Sequence, residues 1–253
     1  MKLFNKASNK TSQEGVSAPS IFAVEDSRMI YTVSITDNIS DVFIYDEVLM
    51  LLENAEENDE IIFNIASYGG RLDGLLALRS GILSTKATVI GKLVSHACSA
   101  GGMLLLCCHN KIVYPNTTFH AHTASYGSYG KSADIKTQVD FETKQIEKLV
   151  HDIYEGFLDA ENEIPLLLDG KEFYFDAEET IKRLENQTMM RDAQQSQAEQ
   201  DMLDSIEQET LEHLSDDDLQ DELDELADVI KELKNEQAKR KGVNKKSNST
   251  PEK

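Results

Sequence analysis

The chain is poor in cysteine, with only Cys98, Cys107 and Cys108 among 253 residues. An odd count that includes two adjacent thiols makes no disulfide framework and lacks the paired spacing of a zinc site, so a reducing, cytoplasmic setting and no metal are expected. Basic residues are also scarce, 25 Lys and Arg against 46 Asp and Glu, a formal charge of -21. Such a surplus repels phosphate backbones and argues against a nucleic-acid partner. No apolar run approaches the roughly 18 residues a membrane span needs, and the first twenty residues, rich in Ser, Lys, Asn and Gln, hold no apolar core of the signal-peptide kind. A soluble protein, neither membrane-bound nor secreted, is the expectation. Apolar residues at 40% still allow one sizeable core.

Composition divides the chain into a polar arm over residues 1–26, expected to be loosely ordered, a domain over 27–186, and a charged tail over 187–253. The tail is segregated by charge: fifteen acidic residues oppose one basic between Gln187 and Ile230, and eight basic oppose three acidic from Lys231 onward. Its leucines, from Leu211 to Leu233, keep mostly three- or four-residue spacing, the pattern of a short coiled coil or docking helix set in a solvated, partly helical segment.

The middle part alternates strand, loop and helix, so the fold class expected is α/β, a sheet covered by helices. Met29–Val33 and Glu60–Ile65 read as strands, and Val42–Asn54 and Leu72–Ser84 as helices. Ala87–Val94 is a third strand, followed by the small-residue segment Ser95–Gly102 and a buried helix from Met103. Two short strands, Lys111–Tyr114 and Thr117–His122, flank a Pro115-Asn116 turn; one long helix is predicted over Ser132 to about Ala160.

The small-residue segment is the first candidate for chemistry. A serine between a strand and a helix stands exposed above the sheet, and Ser99 holds that place. The N–H of Ala100 points into the same space and could hold a developing oxyanion together with a donor from the glycine turn Ser67-Tyr68-Gly69-Gly70. The same small residues are equally what close helix–sheet packing requires. A nucleophilic serine needs a base, and His122 and His120 both end the strand that emerges at the sheet edge; period-two alternation puts them on one face and does not separate them. An acid to orient the imidazole would come from Leu168 to Glu179, where spacing selects none.

Four blocks in order resemble the ClpP family, the proteolytic subunit of the ATP-dependent Clp protease, over about Arg28 to Leu184. They are Ile65-Ala66-Ser67-Tyr68-Gly69-Gly70 with Gly74, Ala97-Cys98-Ser99-Ala100-Gly101, Phe119-His120-Ala121-His122 with Gly130 and Asp134-Ile135, and Phe175-Asp176-Ala177-Glu178-Glu179-Thr180. The resemblance implies the ClpP/crotonase-like ββα-repeat fold with a long handle helix. It makes Ser99 the nucleophile, His122 the general base, and the N–H groups of Gly69, Gly70 and Ala100 the oxyanion donors. The family's acid falls on or beside Glu172, with Asp169 as the alternative. Tyr68 stands where the family has proline, Ser95 where it has glycine and Ala100 where it has methionine.

A serine endopeptidase acting in the cytoplasm, the host's if the gene is viral, is therefore implied. It would work as a homo-oligomeric ring on unfolded or delivered protein chains, with no cofactor of its own. No glycine-rich loop ending in Gly-Lys-Ser/Thr occurs, so ATP would be used by a separate AAA+ partner. Two other readings share the fold: an assembly or interaction protein with an impaired triad, for example in phage head maturation, and a crotonase-type acyl-CoA enzyme.

Overall fold

A computed structural model describes residues 2–6, 18–25, 28–125, 127, 129–213, 227–231 and 234. One sheet runs in the order β1-β2-β3-β4-β5-β7-β8, with β6 also paired to β5. β1 (Lys2–Lys6), β2 (Ile21–Glu25) and β3 (Met29–Ile35) are antiparallel neighbours. β3, β4 (Glu60–Ser67) and β5 (Thr88–Cys98) are parallel, and β5 pairs in parallel with both β6 (Asn110–Val113) and β7 (Thr118–Ala121). β8 (Phe173–Phe175) closes the far edge antiparallel to β7. The fold is thus the mixed α/β arrangement expected, with β1 and β2 as an addition inside the first 26 residues.

Strict alternation makes β4 a ruler: Ile61, Phe63, Ile65 and Ser67 are buried and the residues between them are not. α1 (Asp46–Asn54) and α2 (Leu72–Ser84) lay Val48, Leu52, Leu75, Leu78 and Ile82 into the core. α3 (Ala100–Cys107) is buried from Ala100 to Leu106, all the way round, which is the signature of a helix enclosed by other elements rather than one floating on a surface.

The long helix α4 (Ser132–Tyr154) stops before Ala160, because Gly156 takes a φ of +82° and turns the chain back. A Cβ there would lie 3.0 Å from Gln187 Cα. α5 (Glu163–Leu168) and β8 follow, then α6 (Ala177–His213).

The first compact unit ends at Asp192, six residues beyond the expected boundary at 186. Gln187 is fully buried and its Nε2 donates to the carbonyls of Ile153 and Glu155. Arg191 donates to the Leu106 and Ile153 carbonyls in the last turns of α3 and α4, where a cation meets the negative end of two helices. Composition reads both as tail because they are polar; their partners are main-chain groups that no sequence pattern displays. In the second unit, beginning at Ala193, the described helical side chains are mostly exposed. The leucine run from Leu214 to Leu226 and the arm residues 7–17 lie outside the described residues.

Beside Arg191, Lys111 on β6 is held down to about 8 by burial first and by the Arg191 charge second. A lysine depressed in the folded state costs stability wherever it stays charged, and the cost is relieved as pH rises from that value toward its ordinary 10.5. Lys111→Met is expected to stabilise the protein by about 1–3 kcal/mol at pH 7, with the gain gone near pH 10.5. Urea unfolding at the two pH values checks it; an equal gain at both would contradict the cause given.

Candidate active site

The junction between β5 and α3 forces Ser99 into an unusual backbone. Its φ is 51° and ψ -124°, one of two positive-φ residues other than glycine among those described. Such strain persists only when the surroundings over-determine it. Here the Ser99 N–H donates to the His120 carbonyl at 2.9 Å and the Ser99 carbonyl accepts from Met103 N–H at 3.0 Å. The small residues serve the close packing that the sequence allows. Gly101 and Gly102 allow packing, since added Cβ atoms would lie 2.9 Å from Ser67 O and 3.0 Å from a Phe119 ring carbon. Ser99 and Ala100 face a cavity.

Across from Ser99 runs the glycine turn. Gly69, at φ +105°, lies so close that a Cβ would sit 2.6 Å from the Ser99 Cβ. Its N–H already donates to Ser67 Oγ at 3.1 Å, so of the three expected oxyanion donors Gly69 is engaged elsewhere. Gly70 differs. Ile39 N–H donates to Gly69 O and Arg71 N–H donates to Ile39 O, a parallel bridge that brackets Gly70 and leaves its own N–H directed away from Ile39. Ala100 occupies the first position of α3, where a helix N–H has no partner within the helix.

His122 leaves the end of β7 and lines the same cavity as Ser99, Ala100 and Gly70. The cavity measures about 780 Å³ and its wall is largely apolar, including Ile39, Leu72, Met103 and Leu149. The His122 Nδ1–H donates to the Thr123 carbonyl at 2.6 Å. A carbonyl only accepts, so Nδ1 carries the proton and Nε2 is left basic. Among the described residues no hydrogen bond joins Ser99 to His122 in this conformation. Catalytic hydrogen bonds are often long before substrate binds.

The structure separates the two histidines that alternation could not. His120 stacks flat on Tyr174, ring centroids 4.0 Å apart at 6°, and its ring lies 5.2 Å from that of His122. Burial first, and the His122 charge second, hold His120 below its ordinary value against the opposing pull of Glu172. Glu172, expected to orient His122, has its carboxylate elsewhere: Oε2 is 3.4 Å from His120 Nε2 and accepts the Tyr174 hydroxyl at 2.9 Å. The register explains the placement. His120 pairs with Tyr174 and Ala121 with Phe173, so Glu172 sits one step past the ladder, on the face shared by His120, His122 and Tyr174. Asp169 is exposed at the end of α5, its N–H bonded to Pro165 O.

Burial pushes the Cys98 thiol, next to Ser99, above its ordinary value. Sequence reasoning missed Tyr174, the Thr123 carbonyl and the Ser67 hydroxyl. Only Tyr174 left a signal, the exposed middle position between buried Phe173 and Phe175. Tyr68 is 73% exposed at the cavity rim and stacks on His96 at 3.9 Å.

No curated protein matches the chain. The model of the Clp protease family matches residues 13–183, well over half of the sequence and all of the elements that build the cavity. The chain therefore belongs to the Clp protease family.

Proposed function

We propose that this ClpP-like chain is a serine endopeptidase. The observation that carries the reading is the placement of Ser99, strained at the strand–helix junction, on one cavity with His122, Ala100 and Gly70. His122 Nε2 takes the proton of the Ser99 hydroxyl as Oγ bonds to the peptide carbonyl carbon. The N–H groups of Ala100 and Gly70 receive the oxyanion. His122 then gives the proton to the leaving amine as the C–N bond breaks, and water repeats the sequence on the acyl-enzyme. The apolar wall suits an apolar side chain beside the scissile bond.

Unfolded or delivered protein chains are the substrates on this reading, supplied by a separate AAA+ ATPase to a ring-shaped homo-oligomer. α4 supports association. Its buried residues are Val150, Ile153 and Tyr154 alone, while Ile135, Val139 and Ile146 are only partly covered and Phe141 is 63% exposed, an apolar face that a second copy would cover. The turn of Glu172 toward His120 favours a second reading, an assembly protein whose catalytic group is impaired.

Cleavage of a short fluorogenic peptide separates the two. His122→Ala is expected to lower kcat/KM by on the order of 10⁴, whereas His120→Ala keeps activity within about tenfold. Equal and complete loss in both, or no cleavage by the unmodified protein, would overturn the assignment.

A further inference from the structure

The Ser-His-acid pattern leaves one role open, that of the group which fixes the tautomer of the base and supports its charged form. That role needs an acceptor on Nδ1. In this chain the acceptor is a main-chain oxygen 2.6 Å away, on the residue next to His122. The carboxylate on the same face is engaged elsewhere. Tyr174 donates to it at 2.9 Å, and the His120 ring, pressed flat against Tyr174, lies 3.4 Å from it without a hydrogen bond. The His120 main chain is in turn the acceptor for the Ser99 N–H. Whatever steadies His120 thus steadies the strained serine and, two residues along the same strand, the base.

We propose that the Thr123 carbonyl orients His122 as the base, and that Glu172 is a positioning residue that acts one step removed by holding Tyr174, on which His120 stacks. This rests on the serine-peptidase reading above. Proton transfer from Ser99 to Nε2 leaves His122 with a proton on each nitrogen. The Nδ1–H stays on the carbonyl throughout, because a peptide oxygen takes no proton at neutral pH. A neutral acceptor supports that charge less than a carboxylate would. The negative charge of Glu172 is then dispensable and its acceptor oxygen is not.

The full-length protein with a short fluorogenic peptide tests this through kcat, KM and the acid limb of the kcat/KM–pH profile. Glu172→Gln keeps an oxygen for the Tyr174 hydroxyl, and is expected to lower kcat by no more than about threefold with the acid limb in place. Glu172→Ala removes that oxygen and is expected to cost about tenfold in kcat at unchanged KM. Replacing Ala124 by lactic acid turns the Thr123 amide into an ester, a weaker acceptor, and is expected to lower kcat about five- to tenfold with KM unchanged.

A loss on the order of 10³-fold in Glu172→Gln or Asp169→Asn, with the acid limb displaced, would show that a carboxylate orients the base and would overturn the proposal. So would an ester variant as fast as the parent. Full activity in His122→Ala would instead defeat the serine-peptidase reading itself, an outcome that the other variants do not mimic.

Discussion

Ser99→Ala is expected to lower kcat/KM for a short peptide by on the order of 10⁴ or more while leaving thermal stability in place. The size follows from the chemistry: without the hydroxyl no acyl-enzyme forms, and what remains is binding and oxyanion stabilisation of a direct attack by water. Stability should hold because the interactions that fix this backbone are main-chain ones, the Ser99 N–H on His120 O and Ser99 O under Met103 N–H. Alanine tolerates a φ of 51° about as poorly as serine does. Peptide hydrolysis and differential scanning calorimetry on the same preparation check both halves. A variant that still turns over, or one that is destabilised, would count against the role given.

The second large effect is expected at Gly70→Ala. The residue has a φ of +137°, and an added Cβ would lie 2.1 Å from the Ile39 carbonyl oxygen and 2.9 Å from its nitrogen. Both are main-chain atoms locked in the bridge that aligns the turn with the cavity, so neither has room to yield. The cost is expected on the order of 3–4 kcal/mol, with activity falling further than stability alone explains, because the proposed oxyanion donor moves with the strand. Gly127→Ala is the control: nothing lies within 4 Å of a Cβ there, and a change below about 0.5 kcal/mol is expected. Urea midpoints and kcat on the two variants check the contrast. Similar values for both would mean that the turn is softer than its contacts imply.

Much of the middle of the chain is legible in the sequence because its signals are local. The helix Leu72–Ser84 has the bounds its apolar spacing predicts. β5 is the counter-example. Alternation announces it only to Val94, yet it continues to Cys98, since the small residues Ala97 and Cys98 also pack under the sheet where strand propensity says little. Position 99 was readable as a junction for the same reason, a serine among small residues between two apolar runs. The partner of His122 is not readable there. Which acceptor His122 meets depends on a hydrogen bond to a neighbouring carbonyl and on a cross-strand register three residues long, neither of which has a residue-type signature. Composition does not show the contacts of Gln187 and Arg191, which look like tail until the ends of α3 and α4 are seen beneath them.

Mapping a fluorophosphonate adduct by peptide mass spectrometry tests Ser99 as the proposed nucleophile served by His122. A single phosphonylated residue, Ser99, is expected, with labelling abolished in His122→Ala. An adduct on any other serine, or none in correctly folded protein, would overturn the proposal.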